Sequence, residues 1–93
     1  MTSTSLDASL RIPDEVIFRE LDGEAVVLNL DTGIYFGLDA VGTRIWRLLE
    51  EHMSLRLVLD TLVDEYEAPP DRLQGDLLAF VERLNGKGLI AIG

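Results

Sequence analysis

Few residues of this chain have the types and spacing that chemistry needs. Asp31-Thr32-Gly33 matches the triplet that carries the catalytic aspartate of aspartic proteases. That reaction needs two such carboxylates close enough to share a proton. The chain has one triplet, so a homodimer would have to supply the other. The same residues also make a corner between strands: Asp can bond its own backbone two residues on, and Gly supplies a positive φ. We read a corner; proteolysis abolished by Asp31→Asn would mark the protease. His52, the single histidine, sits in the polar run Glu50-Glu51-His52-Met53-Ser54 without the partners of a triad or a zinc site. Asp60 and Asp64, four apart, share a helix face and could bind a hard cation or act as acid and base. With Glu65 and Glu67 they read more simply as a solvated acidic face. Gly33, Gly37 and Gly42 lack the spacing of a phosphate-cradling loop. The absence of cysteine rules out disulfides, thiolate catalysis and cysteine-ligated metal. We therefore assign no catalytic residue, no metal and no cofactor.

The bulk composition narrows the function classes further. With 93 residues, 47% of them hydrophobic, the chain suits one small folded domain. Its formal charge is −9, which would repel the phosphates that give nucleic-acid binding its affinity. The same charge favours solubility and a basic partner. The start lacks the basic and apolar regions of a signal peptide, and no apolar run approaches the ~20 residues of a membrane helix. The expectation is a cytoplasmic protein with no membrane and no nucleic-acid partner.

Three strands followed by three helices would have to position any site. Val16–Leu21 and Ala25–Leu30 are β-rich runs separated by the hairpin signal Asp22-Gly23. After the Asp31-Thr32-Gly33 corner, residues Ile34, Tyr35, Phe36, Gly37 and Leu38 form a third strand. The period then changes to three and four, with Val41, Ile45, Trp46, Leu48 and Leu49 on a helix capped by Asp39 and ending near Glu51. Ser54 caps a second helix to about Glu65. Pro69-Pro70 opens a third, and Gly86-Lys87-Gly88 stops it. Leu89–Ile92 is an extended tail packed on the core. Residues 1–12 are read as a flexible segment in which Leu10 and Ile12 can form a short extended piece, and 13–93 as the domain. This order predicts an α+β fold, a winged helix-turn-helix-like arrangement with a three-stranded antiparallel meander followed by three α-helices.

Two features suggest binding. Leu73, Leu77, Phe80 and Leu84 share one face of the third helix, with Asp76, Arg83 and Lys87 along its flank and Arg72 and Ala79 further round. Such a flank is ordinary for an amphipathic helix, and it also suits a peptide groove. The third strand has no later strand to cover it and carries no Lys or Pro to block pairing, so its edge can template an added strand.

The stretch from Val27 to Trp46 resembles the PqqD family. The resemblance rests on the hydrophobic strand, the Asp31 and Gly33 corner ahead of Tyr35, the Leu38-Asp39 step, and Trp46 in the following helix. The helix opened by Ser54, the proline break and the last helix ending in Gly86-Lys87-Gly88-Leu89-Ile90 extend it over about residues 13 to 92. The family often has Asn where Asp39 stands, and both cap helices well. The resemblance implies a recognition element for ribosomally made precursor peptides. Such a protein is not an enzyme: it binds the leader segment as a strand added to the third strand, in the cleft toward the third helix. One form serves lasso-peptide pathways beside a leader peptidase and a cyclase. Another serves a radical SAM enzyme in pyrroloquinoline quinone assembly. Phe18-Arg19-Glu20 and Leu30-Asp31-Thr32-Gly33 look closer to the lasso group.

The candidate peptide-binding residues are Ile34, Tyr35, Phe36, Gly37 and Leu38 on the strand and Leu73, Asp76, Leu77, Phe80 and Arg83 on the helix. Leu77 and Phe80 would line an apolar pocket, while Asp76 and Arg83 would hold polar or charged positions. Strand alternation allows only some of residues 34–38 to face the groove, and either parity fits the sequence. The competing reading is a winged-helix DNA binder, whose third helix would offer Arg72, Arg83 and Lys87 against Asp71, Asp76 and Glu82. A salt-sensitive gel shift would mark it.

Overall fold

A computed structural model describes residues 5–22 and 24–92. The element order is β1 (Leu10–Arg11), β2 (Val16–Leu21), β3 (Glu24–Asn29), β4 (Tyr35–Leu38), α1 (Ala40–His52), α2 (Leu55–Glu65), α3 (Pro70–Gly86) and β5 (Ala91–Ile92). The expected α+β order is present: β2-β3-β4 form a three-stranded antiparallel sheet, and three helices follow. Of the Asp22-Gly23 hairpin, Asp22 has φ +52, and Gly23 lies outside the described residues. The third strand begins at Tyr35 rather than Ile34. A second, two-stranded sheet pairs Leu10 with Ile92 and Arg11 with Ala91.

Register decides which sheet face is buried. Val27 stands opposite both Phe18 and Phe36, and Ala25 opposite Glu20 and Leu38. Side chains alternate along a strand, so these share one face. Ala25, Val27 and Leu38 are buried in the core against the helices. Leu28, between Ile17 and Tyr35, lies on the opposite face.

The helices cover the inner face by periodicity and caps. The Asp39 carboxylate accepts the Gly42 N–H at 2.7 Å and starts α1, and the Ser54 hydroxyl accepts the Leu57 N–H at 3.3 Å and starts α2. Met53, φ +50, ends α1 in the left-handed conformation. Trp46, Leu48 and Leu49 from α1, Leu55, Val58 and Leu62 from α2, and Leu77, Val81 and Leu84 from α3 meet in one core. Leu89 and Ile90, just after α3, are buried in the same core. At the end of α3, Gly86 belongs to the helix and Gly88, φ +73, takes the left-handed position, two residues later than the first glycine allowed. Arg44 of α1 is ion-paired with Glu65 at the end of α2, its Nε 3.0 Å from Oε1. This bond holds the Glu65 carboxyl below its ordinary value and raises Arg44. No helix among the described residues is long and apolar enough to cross a membrane.

Candidate functional site

The corner between β3 and β4 is organised by Asn29 rather than by Asp31. Asn29 is 5% exposed, and its Oδ1 accepts the N–H of Asp31 at 2.8 Å and of Thr32 at 3.1 Å. The side-chain bond two residues on, expected from Asp31, is thus made by Asn29, with Thr32 Oγ1 making another to the Ile34 N–H at 3.2 Å. Gly33 supplies the positive φ, +76°. Asn29 Nδ2 donates to the Gly88 carbonyl at 2.9 Å, tying the corner to the chain just after α3. One side chain therefore fixes the start of β4 relative to the end of α3. Asn29→Ala should lower unfolding free energy by about 1–3 kcal/mol, because three part-buried hydrogen bonds of a buried side chain are lost. Denaturant unfolding checks this, and a loss below about 0.5 kcal/mol would show that the tie contributes little.

β4 is hydrogen-bonded to β3, and no strand among the described residues pairs with its outer edge. The Asn29 N–H donates to the Ile34 carbonyl at 2.9 Å, which sets the alternation of the ladder. In an antiparallel pair every second residue exchanges backbone bonds. Phe36 and Leu38 therefore turn their N–H and C=O groups toward β3, opposite Val27 and Ala25. Tyr35 and Gly37 turn theirs outward. Phe36 and Leu38 present their side chains on the helix side, and Tyr35, 68% exposed, presents its ring on the outer face. The parity question has a geometric answer: the edge offers the backbone of Tyr35 and Gly37 and the side chains of Phe36 and Leu38.

Between this edge and α3 lies an open groove of about 730 Å³. Phe36, Gly37 and Leu38 form one wall, and Asp76, Ala79, Phe80, Glu82 and Arg83 the other. Asp39, Val41, Gly42 and Ile45 from the first turns of α1 form the floor. A Cβ on Gly42 would come within 3.5 Å of the Phe80 ring and 3.4 Å of Leu38 Cδ2, so glycine there lets α1 lie close under both walls. The Phe36 and Phe80 rings meet edge to face, centroids 6.1 Å apart. The Arg83 guanidinium lies 5.4 Å and the Lys87 ammonium 5.9 Å from the Phe36 ring centre, cation–π contacts that hold both cations at one end of the groove.

Of the expected residues, the structure gathers Phe36, Gly37, Leu38, Asp76, Phe80 and Arg83 around one cleft. Leu77 is wholly buried in the core, so its place in the apolar pocket goes to Phe80 with Val41 and Ile45 from α1. Leu73 is half-buried against the core, and Ile34 and Tyr35 lie outside the groove lining. The α1 contribution was missed because its residues read as an ordinary helix start. The small Gly42 ahead of the core stripe was the available signal.

The sequence matches the family described as Coenzyme PQQ synthesis protein D (PqqD) over residues 24–90. No curated protein matches it. Among solved structures, TbiB1 in complex with the TbiA(beta) leader peptide is 42% identical with a TM-score of 0.80, covering 87% of this chain and 94% of that one. A lasso peptide synthetase B1 complexed with the leader peptide is 28% identical with a TM-score of 0.74, covering 89% of this chain and 98% of that one. The family match takes in β3, β4 and all three helices, and with them every wall of the groove: the chain belongs to the PqqD family.

Proposed function

We propose that this protein captures the leader segment of a ribosomally synthesised precursor peptide, of the lasso class, by strand addition to β4. It then presents the peptide to a leader peptidase or another modifying enzyme, without catalysing a step itself. The observation that carries the reading is the open β4 edge facing a groove walled by the Phe36 and Phe80 rings. An added strand would pair with the outward backbone groups of Tyr35 and Gly37. Its alternate side chains would enter beside Phe36, Leu38 and Phe80. Residues 13–93 form the binding domain, and the work is done in the cytoplasm, where precursors are made.

Two solved relatives, TbiB1 and a lasso peptide synthetase B1, were captured with leader peptides, which favours the lasso class over a radical SAM partner in quinone assembly. The charge of −9 and the acidic residues Asp39, Asp76 and Glu82 along the groove weigh against a DNA-binding role. The test is titration with the leader encoded by a neighbouring small gene. A Kd on the order of 1 μM or tighter is expected, with a marked loss when proline enters the leader's pairing segment. A neighbouring precursor set with no binder at all would remove the reading.

A further inference from the structure

The charges along the groove are ordered. Phe36, near the start of β4, meets the late turns of α3, where Arg83 and Lys87 both sit over its ring. Asp39, just after β4, and Asp76, in an earlier turn of α3, line the other end. Strand and helix thus run in opposite senses along the cleft, with Arg83 and Lys87 at one end, Asp39 and Asp76 at the other, and Glu82 beside Arg83. Asp76 is held only loosely, 4.0 Å from Arg72, and both side chains are well exposed. Glu82 also lines the groove, about 100° round the helix from Arg83.

From this arrangement we infer that the groove reads the order of charge along its peptide: a basic residue first, an apolar residue two positions on, an acidic residue two positions further. The inference rests on strand addition at β4. Direction follows from the sheet, whose pairings are all antiparallel, the more stable ladder per residue. A peptide antiparallel to β4 enters at the Asp39 end and leaves at the Arg83 and Lys87 end. Spacing follows from rise. Along α3, Asp76 to Phe80 is about 6 Å, and Asp76 to the midpoint of Arg83 and Lys87 about 13.5 Å. At ~3.4 Å per residue, these lengths are about two and four residues of extended chain. Even separations put all three side chains on the same face, so one strand can place its base, its apolar anchor and its acid against the acid, the ring and the bases of the groove.

The test uses two synthetic peptides that differ only in charge order, Lys-Thr-Leu-Thr-Glu and Glu-Thr-Leu-Thr-Lys within identical threonine-rich ends. Each is titrated into isotope-labelled protein at low salt while amide shifts are followed. Shifts at Tyr35 and Gly37 report strand addition, and the ratio of affinities reports charge order. The Lys-first peptide is expected to bind about fivefold to tenfold more tightly, the size of two solvent-exposed ion pairs gained in place of two repulsions. That advantage should shrink with added salt and vanish in the double variant Asp76→Arg with Arg83→Glu, which leaves one charge of each sign at each end. Shifts at Tyr35 and Gly37 with equal affinities would overturn the charge order and leave strand addition standing. A preference for the Glu-first peptide would overturn the antiparallel order. No shift with either peptide would overturn strand addition and the inference with it.

Discussion

Gly37→Pro should leave the fold intact and weaken leader binding by roughly 5- to 150-fold, the loss of about 1–3 kcal/mol that follows when a hydrogen bond is removed and its partner left unpaired. The Gly37 N–H faces the free edge, opposite the non-bonded position Val26, so the β3–β4 ladder does not use it. Proline is tolerated on an edge strand when its missing donor points outward. A Cβ at Gly37 would meet nothing within 4 Å, so Gly37→Ala serves as the steric control and should bind nearly as well as the native chain. The measurement is leader affinity beside thermal unfolding of each variant. Native binding by a folded Gly37→Pro protein would show that the peptide does not pair with β4.

The largest effect on stability is expected at Trp46. The indole is 1% exposed and stacks on Phe18, ring centres 6.4 Å apart and planes 12° from parallel. Trp46→Ala should cost about 3–5 kcal/mol, the usual range for truncating a buried aromatic. A domain of this size has roughly 5–14 kcal/mol in all, so the variant would lose a large share of its folded margin and melt at least about 12 °C lower. Trp46→Phe separates packing from polarity. The indole Nε1 is buried without a hydrogen-bond partner among the described residues, so phenylalanine keeps most of the ring and removes a donor that gains nothing there. It should cost only about 1–2 kcal/mol. Equal losses in the two variants would show that the indole N–H has a partner after all.

The two expectations rest on differently legible parts of the chain. Trp46 was readable from the sequence, because spacings of three and four place Ile45, Trp46, Leu48 and Leu49 on one helix face whatever the rest of the fold does. The caps Asp39 and Ser54 and the Asp31-Thr32-Gly33 corner were readable for the same reason: each is a bond or dihedral satisfied within a few residues. Asn29 carries no such local signal. Its Gly88 partner lies 59 residues away, and no local pattern announces a bond of that span.

The groove shows the same division. The open edge followed from counting strands, and Phe80, Arg83 and Asp76 followed from one helix's wheel. Leu77 fell to the core because a wheel gives an angle without saying which neighbour fills it, and Val81 and Leu84 on α3 share that buried side. Val41, Gly42 and Ile45 entered the site because α1 starts directly beneath β4, a consequence of the short turn at Asp39 together with helix packing. By itself, then, the sequence determined the elements, their caps, the buried stripes and the unprotected edge, since these depend on neighbours in the chain. Only the tertiary structure decided which parity of β4 meets the helices, that Asn29 ties β4 to the end of α3, and that Arg83 and Lys87 gather over Phe36 while Asp76 lines the same groove from an earlier turn of α3. Those depend on register and on the packing of residues far apart in sequence, where small shifts change which side chains share a space.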